Sequence, residues 1–261
     1  MSSGDDATPL PLVADCRVLP ASAPLRWLAA GWRDLRAAPR VSLSLGLVTT
    51  VLSWLIAAAT WRFGDLGLYL GLLSGFVFLG PLIALTFYAV SVRLAISEPV
   101  TVRLVCADTR MALGDTMVFA VVLLIVFLVW ARAAAMVHIF FPLGGHPSLI
   151  KWATFLGIGS AVGAIFCAVI YMASAFSLPM MLDRETDTVT AVLSSVNATL
   201  RNKPAMLVWA VIIVLAVVLS VATFFVGLAV LMPWLGHATW HAYLDTVDAS
   251  AWPRRQVVSA P

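Results

Sequence analysis

Charged residues are scarce in this chain of 261 residues: Asp, Glu, Lys and Arg make up 11% of it, whereas 62% of its residues are hydrophobic. A soluble domain usually carries about 25% charged residues, so this composition excludes an ordinary soluble fold. Several apolar runs approach or exceed the roughly 20 residues that a bilayer-spanning helix needs, and they do not alternate in polarity. The sequence therefore predicts an all-α, polytopic membrane protein.

The motifs of common hydrolytic and phosphoryl-transfer enzymes are missing as well. The sequence has no G-x-S-x-G and no P-loop, and nearly all of its 13 acidic residues lie outside the apolar runs. No basic stripe with interleaved aromatic residues points to nucleic acid. The three cysteines, Cys16, Cys106 and Cys167, are far apart and match no metal spacing. We therefore expect no enzymatic activity, no cofactor and no nucleic-acid partner.

What the chain does contain is five apolar runs, at about 41–63, 66–96, 116–141, 150–182 and 205–243. The last run is too long for one span, because about 39 residues at 1.5 Å each would reach nearly 60 Å across a core of about 30 Å. Either one helix ends near Pro233 and an interfacial helix follows, or a tight hairpin turns near residues 222–227.

The placement of arginine and lysine orients these spans, because both residues concentrate in short loops on the cytoplasmic side. With the N-terminus in the cytoplasm, the outer connections keep only Arg62 and Lys151. Arg254 and Arg255 also fall inside with six spans, but outside with five. We therefore predict six transmembrane helices, with five as the alternative, and both termini in the cytoplasm.

An internal repeat agrees with six spans. The stretch LAAGWRDLRAAP (28–39) aligns without gaps on LSSVNATLRNKP (193–204), and a fainter copy, LVCADTRMALGD, occupies 104–115. Each copy is amphipathic and predicts a helix that lies along the cytoplasmic face before the chain enters the bilayer. The prediction is three repeats, each an interfacial helix plus a transmembrane hairpin. They cover about 25–97, 98–185 and 186–247 of one membrane domain (25–247), between a flexible cytoplasmic tail (1–24) and a second cytoplasmic tail (248–261).

Three stretches match a known family in order: WLAAGWRDLRAAPRVSLSLGL, LGPLIALTFYAVSVRL and PWLGHATWHAYLD. They resemble a family of bacterial integral membrane proteins of unknown function, some of which are labelled cytochrome c oxidase subunits. The string GHATWHAY is the most specific part, and the chain departs from the pattern at Leu244, where a basic residue is usual. The resemblance implies a location in the bacterial inner (cytoplasmic) membrane and names a respiratory oxidase subunit as a candidate partner.

The oxidase label can be tested against the histidines. The chain has four, His138, His146, His237 and His241, which is too few for the haems and copper of a catalytic haem-copper subunit. His237 and His241 lie on one face of one helix, so they cannot hold a haem between them. The chain is therefore not the catalytic subunit of such an oxidase.

His237, His241 and Asp245 follow each other at four-residue intervals and are weak candidates for a shared metal ion. The glutamate that a zinc protease needs after the first histidine is an alanine here, and no third histidine or cysteine is near. We favour the end of a membrane helix, with Trp240 and Tyr243 in an aromatic belt. The histidines would then bond to neighbouring helices, water or lipid phosphate, and no metal site is predicted.

Arg132 lies inside the third apolar run, where a charge is costly and marks a candidate site. Two interpretations stand equally: a structural pair or carbonyl contact, and a site for an anion or lipid. Asp65 in the first outer loop is the closest acidic candidate for pairing.

Trp27, Trp32, Arg33 and Asp34 lie on the first predicted interfacial helix. Tryptophan at the headgroup level and arginine toward anionic lipid are typical of surface anchors. These four are therefore candidates for contact with lipid or with a partner.

Two classes of function remain. The favoured one is a non-catalytic scaffold, assembly factor or accessory subunit that binds the lipid bilayer and another membrane protein. The alternative is a small transporter or permease with a pathway near Pro81 and Arg132, which would need polar groups at the middle of the bilayer.

Overall fold

The computed structural model of the chain describes residues 10–63, 66–140 and 148–259, and for residues 63, 66–79, 138 and 140 it describes the backbone alone. The strands β1 (Asp15–Cys16) and β2 (Val247–Asp248) form one short antiparallel pair. The helices are α1 (Ala23–Ala37), α2 (Pro39–Phe63), α3 (Leu66–Ala95), α4 (Val102–Met111), α5 (Leu113–Phe140), α6 (Leu149–Ser174), α7 (Ser177–Asp183), α8 (Thr188–Arg201), α9 (Lys203–Ala222) and α10 (Leu228–Thr246).

Among the residues described with their side chains, four helical segments are long and apolar enough to cross a bilayer: Pro39–Arg62, Leu113–Val137, Leu149–Asp183 and Lys203–Ala222. The described side chains of α3 add a shorter apolar stretch, Gly80–Ala95. The prediction of an all-helical membrane fold is therefore confirmed, and these four segments are its candidate spans by length and composition.

Three short amphipathic helices, α1, α4 and α8, each lead into a long apolar helix through a single residue. These joints are Ala38, Ala112 and Asn202, and all three are buried. The backbone of each joint is hydrogen-bonded on both sides. At Asn202, for example, its own N–H donates to Ala198 O, and the Met206 N–H donates to its carbonyl. Each short helix is therefore coupled stiffly to the long helix that follows it.

Side-chain caps explain where two of the short helices begin. The Asp187 carboxylate accepts the backbone N–H groups of Val189 and Thr190 at the start of α8. The Thr101 hydroxyl accepts the Leu104 N–H at the start of α4. Such caps satisfy backbone donors that have no partner within the helix. The hydrogen bonds from Thr190 also hold the pKa of Asp187 below its usual range.

The last apolar run breaks at residues 223–227, and Pro233 lies within α10 rather than at a helix end. The Phe224 N–H donates to Val221 O and the Phe225 N–H donates to Ser220 O at 2.7 Å, the hydrogen bonds of a Schellman motif. Phe224 and Phe225 have φ values of 51° and 66°, in the left-handed region that favours glycine. The break therefore lies within residues 222–227, where one of the two alternatives predicted a turn. Its first left-handed position is Phe224 rather than the usual glycine.

The N-terminal segment is packed from Ala14 onward. The Ala14 N–H donates to Ser194 Oγ at 2.8 Å, and the Leu19 N–H donates to Asn202 Oδ1 at 2.8 Å. Asp15 pairs with Asp248 in the β1–β2 ladder. The expectation of a flexible tail over 1–24 is therefore wrong from Ala14 to Leu19, because α8, its joint and β2 bind the backbone there.

The C-terminal segment is packed as well, at the same end of the bundle. Trp252 is 4% exposed, and the Arg255 side chain donates to the carbonyls of Met181 at 3.2 Å and Met111 at 2.8 Å. The predicted cytoplasmic tail, 248–261, is therefore a strap across α4 and α7 over residues 249–259. We call β1, α1, α4, α7, α8, β2 and this strap the polar collar.

Helix α10 occupies the centre of the bundle and contacts α1, α2 and α3 closely through glycines. A Cβ atom on Gly31 of α1 would lie 2.5 Å from the Ala238 backbone nitrogen. A Cβ on Gly236 would lie 2.5 Å from Phe87 Cβ, and one on Gly46 would collide with a backbone carbonyl of α10. Any side chain would therefore push these helices apart, so glycine permits the packing.

Candidate functional site

His237 is fully buried where α2, α3 and α10 meet. Its Nε2 lies 2.9 Å from Ser42 Oγ, and its Nδ1 lies 2.9 Å from Ser91 Oγ and 3.1 Å from the Phe87 carbonyl oxygen. A carbonyl oxygen can only accept, so in the neutral imidazole Nδ1 carries the proton and Nε2 accepts the Ser42 hydroxyl. We call Ser42, Ser91, Phe87 and His237 the histidine junction.

A hydroxyl that donates to an imidazole is also how serine nucleophiles are activated. Ser42 and His237 are each 0% exposed, however, and Ser91 is 1% exposed. A substrate has no access to these atoms in this packing. The junction therefore joins three helices, and its chemistry is that of a buried hydrogen-bond network.

His241 and Asp245 face other partners. His241 Nε2 lies 2.8 Å from Asp34 Oδ2 on α1. Asp245 Oδ2 accepts hydrogen bonds from Arg26 Nη2 and Trp27 Nε1, each at 2.9 Å. The three weak metal candidates are thus each engaged separately. No group of three or more His, Cys, Asp or Glu side chains in the described parts of the chain is placed to share a metal ion.

Three aromatic candidates for lipid contact are buried within the protein. Trp27 is 2% exposed and packs edge-on against Trp209, with ring centroids 5.7 Å apart. Trp240 is 3% exposed, and Tyr243 donates its hydroxyl to Asp183 Oδ2 at 2.8 Å. The prediction that these three contact lipid or a partner directly is wrong, because all three are buried, with Trp209 of α9 against Trp27 and Asp183 of α7 against Tyr243.

Trp32 and Arg33 remain at the surface of α1. Trp32 packs edge-on against Trp234, with centroids 5.1 Å apart, and the Arg36 guanidinium lies 5.3 Å from the Trp32 ring centroid. Arg33 is exposed. The structure thus brings α1 beside the end of α10, where Asp34 contacts His241 and Arg26 contacts Asp245.

A cleft of about 350 Å³ opens between α1 and the end of α10. Its polar lining includes Arg17, Arg26, Arg33, His241 and Asp245. Arg17 reaches it from the N-terminal segment and donates Nη1 to the Leu244 carbonyl at 3.0 Å. Sequence reasoning missed Arg17 and Arg26, because the folding of the N-terminal segment beside α10 has no local signal. We call this feature the arginine cleft.

Arg132 is exposed on α5, away from the collar. It lies 19 residues beyond the first residue of α5, a rise of about 28 Å, which is close to the full thickness of a roughly 30 Å core. The depression beside it is lined by five apolar residues of the same helix, Ile125, Leu128, Val129, Ala133 and Met136. Pro81 is buried in α3 and does not line this depression. Asp65, the expected partner of Arg132, lies outside the described residues.

A buried ion pair in the collar was also missed. Arg93 of α3 donates Nε to Asp108 Oδ2 at 2.5 Å and Nη2 to Asp108 Oδ1 at 3.0 Å, and the two side chains are 0% and 8% exposed. The strap completes the pair: the Val258 N–H donates to Asp108 Oδ1 at 2.9 Å, and Arg93 Nη2 donates to the Val258 carbonyl at 2.7 Å. The partners are 15 positions apart, on two helices joined by the turn at 96–101, so spacing alone does not predict the pair.

Apolar helices long enough to cross a bilayer, with ion pairs and arginines gathered at one end, define an integral membrane protein of the all-helical class. Over residues 68–183, from α3 to the end of α7, the sequence matches a family described as predicted integral membrane protein (DUF2189). This match agrees with the membrane character of the chain. It begins after α1 and stops before α10, so all the lining residues of the arginine cleft lie outside it. None of the curated proteins and none of the solved structures matches the chain.

Proposed function

We propose that the protein is a non-catalytic scaffold, assembly factor or accessory subunit that binds another membrane protein or lipid through its polar collar. One observation carries the proposal. The buried polar groups of the histidine junction bond within the junction, and Arg93 and Asp108 bond to each other, whereas most arginines of the collar are exposed. Such a surface provides charged groups for contact with a partner. Among the described residues, the groups that could react, such as Ser42 and His237, are buried away from any substrate.

The charge distribution supports a cytoplasmic collar. Of the 16 Lys and Arg residues, only Arg62, Arg132 and Lys151 lie away from the collar end, which leaves 13 at that end. Because basic residues concentrate on the cytoplasmic side of the membrane, we place the collar and both chain ends there. In a bacterium this corresponds to the inner membrane.

The helix order supports six spans built as three repeats. Thr246 ends α10 and accepts the Arg17 N–H, while Asn202 precedes α9 and accepts the Leu19 N–H. Helices α9 and α10 therefore run antiparallel from the same end of the bundle. The 19 residues of α10 rise about 28 Å, nearly the thickness of a hydrocarbon core. The one-residue joints before α2, α5 and α9 recur in the same order, as expected of a repeat.

The experiment is affinity purification of the intact protein in mild detergent after cross-linking in cells. We expect a stoichiometric membrane-protein partner or tightly bound lipid. Reversing the charges of Arg26 and Arg33 together should remove it, whereas the control Arg132→Glu should retain it. Recovery of oxidase subunits would support the partner that the resemblance implies. A lone protein without partner or lipid, or equal loss in both variants, would contradict the proposal.

A transporter has less support. Its proposed pathway needs Pro81 and Arg132 on a common polar route, yet the depression at Arg132 is lined by residues of α5 alone and is otherwise apolar.

A further inference from the structure

The arginine cleft carries an excess of positive charge. Arg17, Arg26 and Arg33 contribute three positive charges to its lining, against the single negative charge of Asp245. Asp245 is itself engaged by Arg26 and Trp27. The cleft is therefore complementary to an anion that brings its own acceptor oxygens.

Donors remain available for such an anion. A guanidinium has five N–H donors. Arg17 uses Nη1 on the carbonyls of Leu244 and Asp245, and Arg26 uses Nη2 on Asp245, so each keeps further donors. Arg33 has no hydrogen bond or ion pair with any residue that the structure describes. Planar guanidinium groups bind phosphate oxygens with two parallel hydrogen bonds, which a compact ammonium cannot reproduce.

The cleft is also organised before any ligand arrives. Arg17 is tied to the end of α10, and Arg26 is tied to Asp245, which Trp27 also holds. Holding side chains in place in advance lowers the entropy lost on binding. Helix α1 is amphipathic and precedes a span, so the cleft lies at the depth where lipid phosphates are found.

We propose that the arginine cleft binds a phosphate group, through the guanidinium groups of Arg17, Arg26 and Arg33. The chemistry is shared by the phosphodiester of an anionic lipid headgroup and by free inorganic phosphate. This inference deepens the proposed function by naming the ligand chemistry of the collar, and it rests on that function for the cytoplasmic placement of the cleft.

The test uses the whole protein in neutral detergent and two probes: dihexanoyl phosphatidylglycerol, with dihexanoyl phosphatidylcholine as its zwitterionic counterpart, and inorganic phosphate. Binding is measured by native mass spectrometry and by the shift of the unfolding temperature. Arg33→Gln is the main variant, because Arg33 has no described partner and its loss leaves the packing intact. The matched control is Arg36→Gln, which removes the same charge from the same helix but lies outside the cleft lining.

We expect Arg33→Gln to raise the apparent Kd of the phosphate-bearing probe about tenfold or more, and Arg36→Gln to change it less than about twofold. Arg33→Lys should recover only part of the affinity, because the charge stays while the paired hydrogen bonds are lost. Binding of phosphatidylglycerol alone assigns a lipid headgroup, and binding of both probes assigns a general phosphate site.

Equal losses of probe affinity in Arg33→Gln and Arg36→Gln would overturn the inference. They would show that the probe is attracted by the overall positive charge of α1 and not bound at a defined site. Binding of neither probe by the wild-type protein would overturn it too. Partner capture by the same variants separates the two proposals. If capture survives while phosphate binding is absent, the phosphate inference alone fails; if phosphate binding holds while no partner or lipid is retained in cells, the proposed function fails.

Discussion

At the scale of single residues, His237 provides hydrogen-bond partners for two buried hydroxyl groups. Ser42 and Ser91 bring hydroxyl groups into the interior of an apolar bundle, where an unpaired polar group is costly. An imidazole has two ring nitrogens on opposite edges, so one side chain from α10 bonds to groups on α2 and α3 at once. His237 thereby connects α10 to both α2 and α3.

We predict that His237→Ala lowers the stability of the folded protein by about 3 kcal/mol or more, because it leaves a cavity and unpaired hydroxyls in the interior. Thermal unfolding in detergent measures the effect. The control is His241→Ala, whose side chain is 28% exposed and pairs with Asp34 near the surface. A similar loss in both variants would show that the junction adds no stability of its own.

At the scale of elements, the last apolar run shows how a turn can exist without its usual residue. Phe224 takes the left-handed position that glycine normally occupies in a Schellman motif. Its carbonyl accepts a hydrogen bond from Trp54 Nε1 at 2.7 Å, which ties the turn to α2. The strained backbone is held by this contact and by the amide bonds to Ser220 and Val221.

For this turn we predict that Phe224→Gly is more stable than Phe224→Ala by about 1 kcal/mol, because only glycine adopts a left-handed conformation without steric cost. Both variants lose the same aromatic ring, so the comparison isolates the backbone. In a helix interior the order is reversed. An alanine variant as stable as the glycine variant would mean that the turn is not left-handed at this residue.

Close helix packing gives a second prediction at this scale. Gly31→Ala should destabilise the protein by at least about 1 to 3 kcal/mol, because its Cβ would overlap backbone atoms of Ala238 and Trp234 that cannot move aside. Gly157→Ala in α6 is the control, since its Cβ would meet nothing within 4 Å. That control should be neutral or slightly stabilising. Differential scanning fluorimetry of the two variants compares them directly, and equal unfolding temperatures would contradict the α1–α10 contact.

Local patterns predicted the elements better than their contacts. The apolar run at 41–63 and the amphipathic stretch at 193–204 both fall on helices, because hydropathy and proline placement act locally. The β1–β2 pair, by contrast, joins residues more than two hundred positions apart and is only two residues long. A turn near residues 222–227 was one of two predicted alternatives, but its left-handed residue was not predicted, because Phe224 is not a glycine. Burial of Trp27 escaped because it depends on which helix lies next to it.

At the scale of the whole molecule, the collar connects the beginning and the end of the chain to the same end of the bundle. The N-terminal segment bonds to α8 and α10, and the strap bonds to α4 and α7. Within the collar, the Arg93–Asp108 pair links α3 to α4, and both side chains also bond to the strap. Removing one member would therefore loosen several parts of the chain together.

We predict that Asp108→Asn lowers stability by about 3 to 5 kcal/mol, because it leaves the Arg93 guanidinium buried without a counter-charge. The control is Asp245→Asn, whose partner Arg26 has a side chain 61% exposed and which should cost about 1 kcal/mol or less. Limited proteolysis provides a second readout, with faster cleavage after Arg254 and Arg255 expected in Asp108→Asn alone. Unchanged cleavage and stability would show that the strap does not depend on the pair.

The single-residue joints have a mechanical consequence. A joint at Ala38, Ala112 or Asn202 leaves only two soft torsion angles between a collar helix and its long helix, and hydrogen bonds on both sides stiffen them. A thinner or thicker bilayer changes the tilt of a long helix. The short helix attached to it must then rotate with it. With three such joints, the thickness of the bilayer would set the spacing of the basic groups in the polar collar.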